Sequence, residues 1–199
     1  MPAMASRTTA FDTAYEGTPT WDIGRPQPAV VRLAEAGAVA GDVLDVGCGT
    51  GENALLLAAR GHRVLGLDFA ADAVAKARTK AAERGLAVEF AVGDALDLAG
   101  LGRTFDTALD VGLFHTLQPE ERRPYAASLA AVVRPGGRAI LLCWSSRNPF
   151  GYGPARVAAR DIRAAFSRGW TVESVEPETL ETLLPAGRVH AWLATIRRA

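Results

Sequence analysis

Three scarcities narrow the field before any motif is read. The 199-residue chain holds 2 cysteines, Cys48 and Cys143, far apart and each inside an apolar stretch, so it is no disulfide-stapled scaffold. A reduced pair in the cytoplasm is the expectation. Long apolar runs are missing: the strongest, Ala139 to Trp144, is far short of the roughly 20 residues that span a bilayer. Residues 1 to 17 lack the apolar core of a secretory leader, so neither membrane insertion nor secretion is expected. An excess of one charge is missing too. The 22 Lys+Arg balance 22 Asp+Glu, and no helix or loop concentrates the basic footprint that nucleic acid requires. Lysine itself occurs only at Lys76 and Lys80.

What is present is ordinary globular material, 49% hydrophobic and 22% charged, at a length near one domain of about 150 residues. From Asp42 onward short apolar runs alternate with helical ones, the pattern of strand-helix units on a parallel sheet. The spacing predicts strands over Val43 to Val46, Arg63 to Asp68, Leu86 to Ala91, Phe105 to Asp110 and Arg138 to Trp144. It predicts helices over Glu52 to Arg60 and Ala71 to Arg84, each closed by a glycine, Gly61 and Gly85, in a left-handed cap. Pro119 at a first helical position predicts a helix to about Val133, broken by Arg134-Pro135-Gly136-Gly137. The last third leaves the repeat: a helix over Ala155 to Arg168, then strands over Thr171 to Glu176 and His190 to Arg197 as an antiparallel pair. Before Asp42, Trp21 to Pro28 reads as a rigid loop leading into a short helix, Ala29 to Ala36, a cover over the sheet.

The chemistry concentrates at Asp45-Val46-Gly47-Cys48-Gly49-Thr50-Gly51, where the first strand meets the first helix. Alternate glycines let the backbone approach a ligand and turn sharply. Asp68 ends the second strand 21 residues after Gly47, the spacing at which a carboxylate accepts ribose hydroxyls. A dinucleotide fingerprint would place glycine at position 52, where this chain has Glu52, and a pyrophosphate is repelled by Asp45 and Glu52. S-adenosylmethionine, with an ammonium, a sulfonium and a ribose but no phosphate, suits these acids.

Together with Gly66-Leu67-Asp68, Gly93-Asp94-Ala95 and Arg134-Pro135-Gly136-Gly137, this motif resembles class I, Rossmann-like, S-adenosylmethionine-dependent methyltransferases. The resemblance implies a single α/β domain: a doubly wound, mostly parallel sheet with an antiparallel C-terminal strand and helices on both faces. It divides the chain into an N-terminal lid and helical segment (1 to 41), a cofactor-binding core (42 to 144) and an acceptor-side segment (145 to 199). It implies that Gly47, Gly49 and Gly51, with Asp45 and Cys48 in the same loop, border the methionine part of the cofactor. Asp68, followed by Phe69, takes the ribose, and Asp94 with Ala95 the adenine edge. The flanks Pro19-x-Trp21-Asp22-Ile23-Gly24-Arg25-Pro26 and Asp110-Val111-Gly112-Leu113-Phe114-His115 are similar to the thiopurine, halide/thiol and tellurite-resistance branch, which modifies small molecules. That similarity puts Trp21 in a lid over the cofactor and Arg25 near the site.

Methyl transfer is an in-line displacement on a sulfonium, for which proximity and exclusion of water supply most of the acceleration. A thiolate or another preformed nucleophile needs no base; a phenol or ring N–H is helped by one, and His115 is the best placed histidine. Several residues carry two readings. His115 is a base or a helix cap. Trp21 is a lid or an anchor for the N-terminal segment. Phe114, Trp144 and Phe150 line an acceptor pocket or belong to the core. Arg147 and Tyr152 orient an anionic acceptor or sit in a solvated loop, and Asp110 meets the methionine amino group or forms a turn. No metal is expected. The partners expected are a small acceptor (thiol, phenol or quinol, or heterocycle) and a monomeric or homodimeric state. The competing readings are a non-catalytic S-adenosylmethionine-binding protein and an NAD-linked oxidoreductase.

Overall fold

Seven strands build the centre of the molecule: β1 Val43–Val46, β2 Val64–Asp68, β3 Glu89–Val92, β4 Phe105–Val111, β5 Val133–Trp144, β6 Trp170–Glu181 and β7 Arg188–Arg198. The helices are α1 Pro28–Glu35, α2 Glu52–Ala59, α3 Ala71–Glu83, α4 Arg122–Val132 and α5 Ala159–Ala165. The computed structural model describes residues 13 to 149 and 154 to 199, so Phe150 and Tyr152 lie outside the described residues. The strands form one sheet in the order β3-β2-β1-β4-β5-β7-β6. The first five are parallel, and β7 pairs antiparallel with both β5 and β6.

Alternation along the strands sends successive side chains to opposite faces. Leu44, Val46, Leu65, Leu67 and Leu141 join one apolar cluster with Tyr125, Leu129 and Ile162 of α4 and α5. Val43, Val64, Leu109 and Ile140 join another with Val30, Leu55, Leu57, Val74 and Ala77 of α1, α2 and α3. Both faces are covered, as a doubly wound sheet requires. Among the described residues no helix is long and apolar enough to cross a membrane.

The helix ends follow their expected chemistry where glycine supplies it. Gly61 stands at φ +91°, its N–H donating to Ala58 O while His62 N–H reaches Leu57 O; this Schellman closure turns the chain back into the sheet. Proline decides a correction further on. α4 starts at Arg122 rather than Pro119, because Pro124 lacks an N–H and is tolerated only in a first helical turn. Gln118 to Glu121 instead form a turn, in which the Gln118 N–H donates to the Glu121 carboxylate at 2.7 Å. α5 is shorter than expected because Val157 is held in extended backbone beside β5, its carbonyl accepting from Ser146 N–H at 2.8 Å. β3 starts late because Leu86 still closes α3, donating to Ala81 O at 3.0 Å. β6 and β7 reach well beyond the expected strands, and their tip rises over the carboxyl edge of the sheet.

Candidate active site

The chain runs outward from β1 through β2 to β3, then returns to the other side of β1 as β4. Ligands in open α/β sheets bind beyond the carboxyl ends of the strands at such a reversal. A cavity of about 550 Å³ lies there, bordered by the loop Gly47 to Asn53, by Asp68 and Phe69 after β2, by Val111, Leu113, His115 and Thr116 after β4, and by Trp144. Its roof comes from Tyr15 and Thr20 to Arg25 on one side and Leu180, Thr182 and Leu184 on the other.

The glycine loop is shaped from both sides. Gly47, Gly49 and Gly51 all have positive φ. A Cβ at Gly47 would stand 2.9 Å from Leu113, and one at Gly49 would stand 2.9 Å from the Tyr15 hydroxyl. Asp68 fastens the loop: one carboxylate oxygen accepts the Gly49 N–H at 2.8 Å and the other the Ala70 N–H at 2.9 Å. Gly93 N–H donates to Asp68 O at 3.0 Å, which brings the Gly93-Asp94-Ala95 turn beside it. The Asp94 carboxylate caps that turn at Leu96 N–H, and neither Asp94 nor Ala95 borders the cavity.

Asp45 is the most demanding group in the molecule. It is 1% exposed and outside the cavity lining, and its carboxyl has no side-chain hydrogen-bond partner among the described residues, only the Ala54 backbone N–H acting to favour its charged form. Burial, reinforced by Asp110 and then Asp68, pushes its pKa up to about 7. A buried carboxyl without a side-chain donor is costly, and a ligand ammonium is the kind of group that would relieve it. Asp110 is differently placed. Its oxygens accept from Leu113 N–H at 2.9 Å, Phe114 N–H at 3.2 Å and the Tyr125 hydroxyl at 2.8 Å, so it holds the loop after β4. Burial still pushes its pKa up to about 6. Glu52 also differs from its sequence reading. Arg84 grips it with two hydrogen bonds of 2.9 Å and Lys80 with a 2.9 Å ion pair. Burial pushes its pKa up, yet these partners outweigh it and hold the carboxylate low. The charge available to oppose a pyrophosphate is therefore that of Asp45, with Glu52 already neutralised.

His115 is buried at the cavity wall, in the turn Phe114–Thr116. Its Nδ1 accepts the Trp144 backbone N–H at 3.0 Å, and burial lowers its pKa to about 4. Trp144 meets it edge-on, ring centres 6.4 Å apart. Phe114 turns the other way, into the core against Tyr125 and Phe166, and does not border the cavity. Arg147 is exposed and outside the lining. Cys48 lines the cavity with its thiol pKa raised by burial, a filler without thiolate character. Among the described residues no cluster of His, Cys, Asp and Glu could hold a metal ion.

Several wall residues are silent in the sequence. The Trp21 indole N–H donates to the Tyr15 hydroxyl at 3.1 Å, and Asp22 accepts the Thr50 hydroxyl at 2.7 Å while Lys80 donates to the same oxygen at 2.7 Å. Lys76 donates to Tyr15 O, so both lysines of the chain fasten this segment or the loop beneath it. Gln27 clamps Glu181 through its backbone: its amide donates to Glu181 O at 3.0 Å and accepts from Glu181 N–H at 2.9 Å. Leu183 N–H reaches Thr20 O at 2.7 Å, and Arg25 pairs with Glu181 at 2.5 Å. Trp21 and the motif residue Thr50 were the available signals; nothing local marks Tyr15, Gln27 or Leu180.

S-adenosylmethionine fits this cavity by its donor set. Asp68 at the end of β2 and the glycine loop border the cavity, whereas the buried carboxyls of Asp45 and Asp110 lie outside its lining.

Comparison with known proteins agrees. A methyltransferase-domain family matches residues 43–137. The chain is 39% identical over 181 residues, 85% of its length and 80% of the relative's, to 2-heptyl-1-hydroxyquinolin-4(1H)-one methyltransferase of Mycobacteroides abscessus. It is 28% identical over 147 residues, 73% of its length and 65% of the relative's, to a probable thiol methyltransferase 2 of Arabidopsis thaliana. A solved structure described under the conversion of a disulfide bond into a thioacetal group during echinomycin biosynthesis superposes with a TM-score of 0.90, at 40% identity, over 96% of this chain and 93% of that one. The chain belongs to the S-adenosylmethionine-dependent methyltransferases.

Proposed function

We propose that the acceptor is a small, flat, largely apolar molecule, a heterocycle, phenol or thiol, methylated at O, N or S. The observation that carries this is the division of the cavity along the strand order: the polar glycine loop and Asp68 beyond β1 and β2, and Val111, Trp144, Leu180 and Leu184 on β4, β5 and the β6–β7 hairpin, with His115 and Thr116 as polar groups after β4. Small-molecule sites combine an apolar lining with a few placed polar groups in this way. The names of the hydroxyquinolone and thiol methyltransferases among the relatives support it.

When bound, S-adenosylmethionine supplies an electrophilic methyl carbon: a bond forms from the acceptor's lone pair as the carbon–sulfur bond breaks, its electron pair staying on sulfur. The protein's own residues hold and shield. Asp68 and the glycine loop fix one end; Asp45, buried and outside the lining, supplies negative charge that favours an ammonium seated against the loop. The segment from Tyr15 to Gln27 serves as a lid, closing with the β6–β7 tip to exclude water. The reading extends to residues 145 to 199 as the acceptor side of a single domain, and to a monomer or homodimer of the cytoplasm, where Cys48 and Cys143 stay free thiols.

The test is a panel of thiophenols, hydroxyquinolines, phenols and aliphatic thiols, scored by S-adenosylhomocysteine release. Turnover confined to flat aromatic acceptors is the expected result. Preference for long polar or polymeric acceptors contradicts it.

A further inference from the structure

The hydrogen bond from the Trp144 N–H to His115 Nδ1 decides what the imidazole offers the cavity. A backbone N–H can only donate, so Nδ1 carries a lone pair and no proton. Turning the ring over would put a carbon there and leave a buried N–H orphaned, at a cost of about 1–3 kcal/mol. The neutral ring therefore bears its proton on Nε2, which makes no hydrogen bond to any described residue, on a side chain that borders the cavity. A nitrogen already protonated cannot take another proton.

We propose that His115 is a hydrogen-bond donor that seats an acceptor atom arriving as an anion, so that the substrates are molecules ionised near neutral pH: thiolates, acidic phenolates and deprotonated N-hydroxy heterocycles. This rests on the acceptor reading above. The reaction balances without a base: the anion's lone pair forms the new bond to carbon, the sulfonium becomes a neutral thioether, and no proton remains to be moved. The Nε2–H points hydrogen-bonding capacity at the nucleophile, favouring its ionised form and fixing its line of approach.

The charged groups that border the cavity or hold its loops are engaged elsewhere, Glu52 by Arg84 and Lys80. Asp110 is held by Tyr125, Leu113 and Phe114, Arg25 by Glu181, Asp22 by Thr50 and Asp68 by Gly49 and Ala70. Trp144 from β5 meets the ring edge-on, and Leu180 from β6 packs in one apolar cluster with Trp144. Burial alone acts on the ring, so it stays neutral across the working pH range and the acid limb of the rate profile belongs to the acceptor.

Two measurements test this on the full chain. In long-range proton–nitrogen spectra with uniformly labelled protein and S-adenosylhomocysteine present, His115 is expected as the Nε2–H tautomer, unchanged from pH 7.5 to about 5.5, about a unit or more above its lowered pKa. An Nδ1–H tautomer, or protonation within that window, overturns the proposal. In turnover assays with substituted thiophenols of graded acidity, at S-adenosylmethionine kept saturating at every pH so that proton linkage at Asp45 does not enter, the acid limb of kcat/KM is expected to move with each acceptor's own pKa. A limb fixed at one pH for every acceptor identifies an enzyme base and overturns it. His115→Gln, whose amide can accept from Trp144 and donate to the cavity, is expected to keep that moving limb, whereas His115→Phe raises KM about tenfold, the loss of one donor to a charged group. Should S-adenosylhomocysteine bind while no acceptor in the series is methylated, the acceptor reading fails, and the tautomer still decides the role of His115.

Discussion

The two ends of the cavity are built on opposite principles. The cofactor end is local: Gly47, Gly49, Asp68 and Gly93 follow consecutive parallel strands, and their bonds to one another span a few dozen residues. The acceptor end is assembled from the two ends of the chain, with Gln27 clamped on Glu181 and Thr20 on Leu183. A parallel strand-helix unit dictates where its loop falls, so local motifs suffice. A roof made of an N-terminal segment and a hairpin tip depends on side-chain contacts whose partners differ by more than a hundred and fifty positions. One end can therefore stay constant while the other changes its acceptor.

Breaking the cofactor end has the largest expected effect. Asp68→Ala removes the proposed ribose partner and frees the Gly49 and Ala70 N–H groups; S-adenosylhomocysteine affinity by calorimetry should fall about 10–100-fold, or about 1.4–2.8 kcal/mol. Near-wild-type melting would show that the fold survives, and unchanged affinity would remove Asp68 from the ribose.

Proton linkage sharpens the same comparison. Burial raises the Asp45 pKa to about 7, so below that pH the free protein holds a proton that an entering ammonium must displace. Affinity for S-adenosylmethionine should drop about tenfold for each pH unit below 7, with proton release visible as a dependence of binding heat on buffer. In the absence of ligand the sign is the reverse: the folded carboxyl binds its proton more tightly than the unfolded one, so this group's contribution to stability falls as pH rises from about 4 to 7. Asp45→Asn should flatten the affinity profile, and a slope that survives the substitution assigns the proton elsewhere.

At the acceptor end the effects are smaller. Gln27→Ala should raise acceptor KM about 5–10-fold, since two hydrogen bonds of about 0.5–1.5 kcal/mol each tie down the roof. Unaltered KM would mean that the roof does not shape the acceptor's seat. Arg147→Ala should leave KM within about twofold, an exposed loop residue having little leverage; a large increase would restore it to the acceptor site. Arg25→Ala removes an exposed arginine from a half-buried Glu181 and should fall between the two, raising KM about two- to fivefold.

Legibility in the sequence followed the same divide. Val43–Val46 falls on its expected residues, and Gly61 and Gly85 close their helices, because turn chemistry and strand alternation are local. The helix after Pro119 did not start there, because a second proline three residues into α4 fixed the frame. The carboxylates were legible as residues but not as charges: Glu52 is spent on Lys80 and Arg84 and Asp110 on Tyr125, while Asp45 has no side-chain partner among the described residues. Phe114 and His115 are neighbours in sequence, yet the turn sends one into the core and the other to the cavity. Gln27 and Leu180 carried no signal, since their roles exist only once the chain's two ends meet over the sheet, and Thr50, legible as part of the glycine motif, was not legible as the partner of Asp22 and Lys80.

The most direct measurement is calorimetric titration of S-adenosylhomocysteine into Gln27→Ala beside Asp68→Ala and the unaltered protein. With a cofactor seat built by the local half alone, Gln27→Ala should bind within about threefold of the unaltered protein, less than about 0.7 kcal/mol. A loss as large as that of Asp68→Ala would contradict it and show the cavity to be one cooperative unit.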